Sequence, residues 1–272
     1  MACADCHTDQ AAAFTANPHN ALKAKDANAA CESCHGNGTA HMEGGGDKEK
    51  ILVPRGRAGA DTVCLSCHDK ATENMSRRGG MHANSAAVNC FTCHSIHSAG
   101  AQSDAKSAPH TTEHLLVKNQ LDLCTDCHSG QAAAMRTKPY AHRVGRGGME
   151  CSTCHEPHGR RGRESLKQTA SGEIACMSCH SDKRAMHVFP HGANSVGDCT
   201  SCHETHGSSN PRQLKRATVA QLCIECHSPL AGVATLASQP PSFHNLNLPR
   251  YQNCTTCHTA IHGSNRSPQL LK

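Results

Sequence analysis

Apolar residues in this chain recur at helical spacing only over short stretches. Two of these stretches lead into cysteine-containing segments and predict helices at Leu115 to Cys124 and at Ala217 to Cys226. Strands have almost no support, because β-branched and aromatic residues are scarce. No apolar run reaches the ~18 residues that a membrane-spanning helix needs, so no transmembrane segment is expected. The pattern predicts a mostly irregular chain with short α-helices and almost no β-structure.

The composition supplies too little apolar mass for an ordinary core. Of the 272 residues, 37% are apolar and 2% are aromatic, and none is Trp. Chains of this length usually bury a much larger core. An additional apolar group must therefore complete the interior, and without that group the chain is expected to be largely unfolded.

The cysteines indicate what that group is. All 20 cysteines fall into ten Cys-x-x-Cys-His pentapeptides. Residues i, i+3 and i+4 of a helical turn share one face, so two thiols can bond the vinyl groups of a haem while the histidine binds its iron. The sequence predicts ten covalently attached haem c (heme c) groups in a multihaem cytochrome c.

We number the motifs 1 to 10 along the chain. The predicted attachment residues are Cys3, Cys6, Cys31, Cys34, Cys64, Cys67, Cys90, Cys93, Cys124, Cys127, Cys151, Cys154, Cys176, Cys179, Cys199, Cys202, Cys223, Cys226, Cys254 and Cys257. The predicted proximal iron ligands are His7, His35, His68, His94, His128, His155, His180, His203, His227 and His258. Zinc sites or disulfides are the alternative uses of cysteine, but neither accounts for ten identical pentapeptides.

The flanks of the motifs alternate, so the repeating unit contains two motifs. From motif 3 onwards, odd motifs follow an apolar residue such as Val63, and even motifs follow a polar one such as Asn89. A Leu near a Lys recurs after later even motifs, as in Leu166-Lys167. These marks divide a single elongated decahaem domain, 1–272, into five two-haem repeats. The repeats are 1–53, 54–118, 119–167, 168–215 and 216–272, and such a period is typical of an array whose units pack mainly on their neighbours.

Histidines outside the motifs are candidates for the second axial ligands. One set follows the even motifs, namely His41, His97, His158, His206 and His262. A second set precedes each even motif by 8 to 12 residues, namely His19, His82, His142, His191 and His244. A histidine three residues beyond a proximal one cannot reach the far face of the same haem, so the haems must share ligands between motifs. The spacing does not say which distal histidine serves which haem.

Ten distal histidines for ten irons predict bis-histidine ligation throughout. His187 competes with His191, while His110 and His114 are assigned to the surface or to haem propionates. The eight methionines are the rival ligands, but none recurs in register. A saturated iron has no open position for a substrate, so the sequence favours an electron-transfer protein over a multihaem reductase and predicts no catalytic residue.

The formal charge of +5 overstates how basic the working protein is. An oxidised bis-imidazole haem with two ionised propionates carries about one net negative charge, so ten haems bring the total to about −5. Nucleic-acid binding is therefore not expected. Haems of this type are attached outside the cytoplasm, which predicts a periplasmic location and an N-terminus that is either mature or truncated.

Three features carry a specific resemblance over the whole chain: the ten motifs, the CHGNGTAH stretch at Cys34 to His41, and the closing Cys254-Thr-Thr-Cys-His-Thr-Ala-Ile-His-Gly-Ser-Asn. The chain resembles the MtrA/DmsE/PioA family of decahaem cytochromes. The resemblance implies a cytochrome inserted in an outer-membrane β-barrel porin. It also implies electron transfer between periplasmic donor cytochromes and an extracellular cytochrome or terminal reductase, in either direction.

Two other electron-carrier functions stay open on the sequence. The protein could be a free periplasmic shuttle or a subunit of an extracellular cytochrome filament. A conduit must outreach a bilayer whose apolar layer is about 30 Å thick. A compact globule of this length would have a radius of gyration of about 19 Å, so the conduit hypothesis predicts an elongated molecule with a near-linear chain of haems.

Overall fold

The chain divides into two compact units. A computed structural model describes residues 2–24, 26, 28–68, 82, 85, 87–97, 113–145, 148–159, 165–184, 186–227 and 248–271. The first unit contains Met1–Cys127 and Glu150–Lys167, and the second contains His128–Met149 and Gln168–Lys272. The predicted single domain and its repeat boundaries stay a prediction.

Short helices provide most of the regular structure. The α-helices of the described residues are Cys3–Cys6, Thr8–Ala13, Ala29–His35, Thr39–Glu43, Gly56–His68, Cys90–Cys93, Gln120–Thr125, Ser129–Thr137, Cys151–Cys154, Gly192–Ser195 and Val219–Ile224. The 3₁₀ helices are Phe14–Ala16, Pro18–Ala24, Lys48–Lys50, Glu113–Leu115, Ala175–Ser178, Ser181–Lys183, Cys199–Ser201, Pro211–Gln213, Pro249–Tyr251 and Cys254–Thr256. None of the helices in these ranges is long and apolar enough to cross a membrane. The predicted short helices are confirmed.

β-Structure in the described ranges is limited to one two-stranded ladder and isolated bridges. Phe189–Pro190 pairs antiparallel with Gly263–Ser264, with Phe189 opposite Ser264 and Pro190 opposite Gly263. The isolated bridges are His94 with Leu116, Tyr140 with Ser208, His155 with Leu166, Gln168 with Ile174, and His203 with Leu214. Two of these bridges join a proximal histidine to a recurring Leu, Leu166 or Leu214, and a third joins His94 to Leu116, so the pairing lies at the even motifs.

The two helices predicted from apolar spacing exist but are shorter than predicted. The first is Gln120–Thr125, because the Asn119 side chain accepts a hydrogen bond from the Asp122 amide at 3.0 Å and caps the helix there. Leu115, where the prediction began, has a φ of 53° and cannot continue a right-handed helix. The second helix is Val219–Ile224, capped by the Thr218 side chain.

The core built by the polypeptide alone is small. In the described residues, the buried apolar side chains are Phe14, Ala30, Ala60, Leu115, Ala132 and Met177. Three of these six are alanines, which have little apolar surface to bury. This agrees with the composition, which already indicated that the chain needs an additional apolar group to complete its interior.

The odd and even motifs continue in different ways. The proximal histidines of motifs 1, 5 and 7 have ψ angles of 54°, 52° and 47° and stand at the N-termini of following helices. The proximal histidines of motifs 4 and 6 have ψ angles of 142° and 148° and lead into extended chain. The alternation of flanks seen in the sequence therefore corresponds to two backbone paths.

Candidate haem sites

Seven of the ten motifs form the same tight turn. The histidine amide donates to the carbonyl of the first cysteine at 2.8–3.0 Å in motifs 1, 4, 6, 7, 8, 9 and 10. This bond spans four residues, as in one turn of α-helix, so it brings both thiols and the imidazole to one side of the backbone. The turn has the arrangement that the attachment chemistry requires.

Proximal and distal histidines face each other in seven pairs. We number each pair by the motif of its proximal histidine. The ring centroids are 6.2 Å apart for His7 and His41, 5.7 Å for His35 and His97, 5.9 Å for His68 and His19, 5.9 Å for His94 and His158, 6.3 Å for His180 and His142, 6.4 Å for His203 and His262, and 6.2 Å for His227 and His191. Every pair combines one predicted proximal and one predicted distal histidine.

The spacing of these rings fits an iron between them. A metal–imidazole bond is about 2 Å long, and the ligating nitrogen lies about 1 Å from its ring centroid, which puts two such centroids about 6 Å apart. Rings in direct van der Waals contact would lie closer, at roughly 4 Å when stacked face to face. The observed 5.7–6.4 Å therefore matches bis-imidazole ligation of a haem iron.

The distal histidines are exchanged between neighbouring predicted repeats. His97 of the second repeat faces His35 of the first, while His19 of the first faces His68 of the second. The fourth and fifth repeats exchange ligands in the same way. His262 faces His203, and His191 faces His227. By contrast, His41 and His7 both belong to the first repeat.

Backbone carbonyls orient the proximal rings of several even motifs. The Nδ1 atoms of His35, His94, His203 and His258 donate to the carbonyls of Leu52, His114, Arg212 and Gln269 at 2.6–2.9 Å. A carbonyl can only accept, so Nδ1 must be protonated and Nε2 has the free lone pair. This is the tautomer that iron needs, and the hydrogen bond also makes the ring a stronger electron donor.

Residues with left-handed backbone direct these carbonyls. Leu115, Gln213 and Leu270 directly follow three of the residues whose carbonyls accept these hydrogen bonds, and they have φ angles of 53°, 57° and 57°. Ser165, in the corresponding segment after motif 6, has a φ of 52°. Such a conformation costs an L-residue about 1–2 kcal/mol, and such strain concentrates at functional sites. The recurring Leu of the sequence marks these segments after the later even motifs, but the left-handed residue is Ser165 or Gln213 just before Leu166 or Leu214.

In several odd motifs the oriented ring is the distal one. His41 Nδ1 donates to the Asp47 carbonyl at 2.8 Å in pair 1, and His142 Nδ1 donates to the Thr205 carbonyl at 3.1 Å in pair 7. In pair 3, His19 Nδ1 lies 3.0 Å from the side-chain oxygen of Asn17. Pairs 2, 4 and 8 have an oriented proximal ring, so the side from which the protein fixes an imidazole alternates between odd and even motifs.

Burial favours the neutral form of five distal histidines. It is the largest cause that lowers the pKa of His19, His97, His158, His191 and His262. The facing proximal ring is the next cause in every case except His262, where Lys183 comes before His203. A neutral imidazole has a lone pair for iron at pH values where a free histidine begins to protonate.

The cysteines of successive motifs approach each other in two alternating ways. The first-cysteine thiols of motifs 1 and 2, 3 and 4, 5 and 6, 7 and 8, and 9 and 10 are hydrogen-bonded to each other. Burial and the facing thiol raise the pKa of Cys64 to about 11 and that of Cys223 to about 12. The second cysteines are neighbours across the next junction, as Cys34 with Cys67, Cys93 with Cys127, and Cys202 with Cys226. These thiols stand where thioether sulfurs of attached haems would be.

A glycine follows three of the distal histidines, in His158-Gly159, His206-Gly207 and His262-Gly263. Their φ angles are 85°, 140° and 140°. A Cβ at Gly207 would lie 2.8 Å from the Ala134 carbonyl oxygen, and one at Gly263 would overlap the His187 ring. Only glycine fits this close approach. The recurring His-Gly dipeptide could have revealed this requirement from the sequence.

Replacing Gly207 with alanine is expected to lower the free energy of unfolding by about 3 kcal/mol, since it adds left-handed strain and a clash with backbone. The matched control is Gly130→Ala in the helix Ser129–Thr137, where a Cβ meets nothing within 4 Å. The control should stabilise the protein by up to about 1 kcal/mol. Guanidinium titrations of both variants measure the free energy of unfolding. Equal changes in the two variants would contradict the prediction.

The remaining predicted ligands stay predictions. His82, His128, His155, His206 and His258 lie in the described part of the chain, where His82 Nδ1 meets the Pro157 carbonyl at 3.2 Å. His244 and His110 lie outside the described residues. The geometry favours His191 over His187, because His191 faces His227 whereas the His187 ring packs against Gly263. His114 contributes its backbone carbonyl to His94.

Comparisons with known proteins agree with this geometry. Residues 142–185 and 191–232 match the family model of the doubled CXXCH motif. Each matched stretch begins at a distal histidine and includes the proximal histidine that it faces, His142 with His180 and His191 with His227. The chain is therefore a multihaem c-type cytochrome, a class whose covalently bound haems transfer electrons.

Two curated relatives define the family. The chain is 34% identical over 252 residues to the multiheme cytochrome MtrA of Shewanella baltica strain OS185, a match that covers 89% of this chain and 70% of that protein. It is 32% identical over 147 residues to the cytochrome c-type protein NrfB of Escherichia coli O6:H1 strain CFT073, covering 51% and 68%. The chain belongs to the MtrA-type family of multihaem c-type cytochromes.

Proposed function

We propose that this protein is a non-enzymatic electron conduit of ten bis-histidine haems held in five two-haem repeats. The observation that carries the proposal is the set of seven facing histidine pairs. Each pair would give one iron both of its axial ligands, which leaves no open position for a substrate at those seven sites. Their distal ligands are His41, His97, His19, His158, His142, His262 and His191.

Contacts within each unit support an uninterrupted order of haems. First cysteines meet inside a predicted repeat, and second cysteines together with exchanged histidines meet at junctions between repeats. The haems of motifs 2, 3, 4, 5, 8 and 9 would then each have one neighbour on the first-cysteine side and another on the second-cysteine side. Within each unit this arrangement favours a linear order of haems, through which an electron would pass from one motif to the next along the sequence.

The membership in the MtrA-type family supports a role at the outer membrane. We propose that the chain works inside a porin-like β-barrel and carries electrons between periplasmic donors and an extracellular cytochrome or reductase. The filament alternative is disfavoured by one contact. His19, which a filament subunit could donate to a neighbouring subunit, faces His68 of its own chain.

Reconstitution in liposomes tests this proposal. The intact mass should account for ten haems, and the oxidised protein should be low-spin throughout, because every iron has two imidazoles. When it is inserted together with its porin, the protein should reduce a dye enclosed in liposomes by using a reductant outside. Liposomes with the porin alone or the cytochrome alone are the controls.

Three results would contradict the proposal. A high-spin iron in the untreated protein would indicate an open site and hence an enzyme. Dye reduction by the cytochrome without any porin would remove the need for a barrel. A radius of gyration near 19 Å in small-angle scattering would make the molecule too compact to span a bilayer.

A further inference from the structure

Asn17 connects the distal ligands of two different haem sites. The residue is only 3% exposed. Its side-chain oxygen accepts from the His19 amide at 2.9 Å and lies 3.0 Å from His19 Nδ1. Its side-chain nitrogen donates to the Ile96 carbonyl at 2.7 Å, 79 residues further along the chain. Ile96 directly precedes His97, so a single amide holds both exchanged ligands of the first junction.

The two halves of the amide have different tasks. The oxygen accepts the proton of His19 Nδ1, which leaves His19 Nε2 free to bind the iron of motif 3. The nitrogen fixes the backbone that presents His97 to the iron of motif 2. Because the amide is buried, water cannot replace either hydrogen bond when the side chain is changed. Neither Asp nor Leu offers both a donor and an acceptor.

Asn17 also differs from the other groups that orient an axial ring. In pairs 1, 2, 4, 7 and 8 of the described residues, the acceptor is a backbone carbonyl, which no substitution removes. In pair 3 it is a side chain. The iron of motif 3 therefore has a ligand environment that mutation can change directly.

A second asparagine stands at the junction between motifs 8 and 9. The Asn194 side-chain nitrogen donates to the carbonyls of Lys183 at 2.9 Å and His262 at 2.7 Å. His262 faces His203, and Asn194 lies three residues after His191, which faces His227. An asparagine thus connects the two exchanged-ligand segments at both junctions.

We propose that Asn17 is a positioning residue that couples the ligand geometry of the irons at motifs 2 and 3. This inference rests on the bis-histidine ligation proposed above. Through its oxygen Asn17 sets the orientation and donor strength of His19, and through its nitrogen it holds His97 in place. Asn194 has the corresponding role for the segment of His262.

The test compares full-length holo-protein carrying Asn17→Leu, Asn17→Asp or the control Asn37→Leu. Asn37 is an exposed asparagine of the same repeat whose side chain accepts from the nearby Thr39 amide. The measurements are intact mass, electron paramagnetic resonance of the ferric protein, carbon monoxide binding to the reduced protein, and a spectroscopic redox titration.

Asn17→Leu removes both hydrogen bonds and should change the low-spin signals of two of the ten haems, with carbon monoxide binding at those two. Asn17→Asp keeps an acceptor for His19 but loses the donor to Ile96. A carboxylate accepts more strongly than an amide, so the haem of motif 3 should shift to a lower potential while remaining low-spin, and the haem of motif 2 should change its low-spin signal because the backbone at His97 is no longer held. Asn37→Leu should match the parent in every measurement.

Asn17→Leu spectra and titrations identical to those of the parent would overturn the proposal, as would equal changes in Asn37→Leu. If Asn17→Leu does not accumulate with ten haems, Asn17→Asp decides: changes at two haems support the coupling, and a change at one haem alone or at none overturns it. The spectrum of the parent tests bis-histidine ligation separately, so a failure of the proposed function is distinguishable from a failure of the role of Asn17.

Discussion

Replacing His97 with alanine is expected to leave one haem without its distal ligand and to remove one of the two ligand cross-links between the first and second repeats. His97 faces His35 with a centroid separation of 5.7 Å, and the predicted haem is attached at Cys31 and Cys34 of the first repeat. The iron–imidazole bond then acts as a cross-link that closes a loop of roughly 60 residues. By loop-closure entropy, losing such a link costs about 4 kcal/mol.

His41→Ala is the matched control, because His41 faces His7 within the same repeat. Each variant should produce a single five-coordinate, high-spin haem that binds carbon monoxide when reduced. The protection of backbone amides against hydrogen exchange distinguishes the two variants. His97→Ala should lose protection on both sides of the junction, around Asn17 and around Ile96, whereas His41→Ala should lose it only within 1–53. Equal patterns of exchange in the two variants would show that ligand exchange does not bind the repeats together.

The attachment chemistry was predictable from the sequence because it is local. Two cysteines and a histidine within five residues define one turn, and the turn forms as predicted in motif 1 and motif 10. The pairing of distal histidines is not local. His35 faces His97 rather than the nearer His41, and nothing in either segment's spacing encodes that choice, because it depends on how two repeats pack.

The ring-orienting carbonyls were missed for a different reason. Leu115, Gln213 and Leu270 adopt left-handed backbone, which usually indicates glycine or asparagine in a sequence. The strain is offset by a hydrogen bond to a ligand ring. A left-handed conformation therefore could not be predicted from the residue type alone. The recurring Leu after the later even motifs marked the segment in which such residues lie, but their role became visible only in the geometry of the His94 and His203 rings.

Withholding haem is expected to abolish cooperative folding altogether. Ordering each residue costs about 1–2 kcal/mol of conformational entropy. The polypeptide opposes this with the small core of the described residues, in which Phe14, Leu115 and Met177 are the large buried apolar side chains. At about 25 cal/mol per Å² of buried apolar surface, three such residues recover only a few kcal/mol. The haems and their iron bonds must supply the remainder, so attachment and folding are one process.

The measurement compares thermal melts by circular dichroism of the holo-protein and of the same chain produced where no haem is attached. The haem-free chain should show a gradual, non-cooperative change. A reductant must be present, because the paired thiols of Cys124 and Cys151, and of Cys176 and Cys199, are close enough to oxidise to disulfides that would stabilise a partly ordered chain. A sharp melt of the reduced, haem-free chain would show that the polypeptide carries its own fold and that the haems only occupy sites already formed.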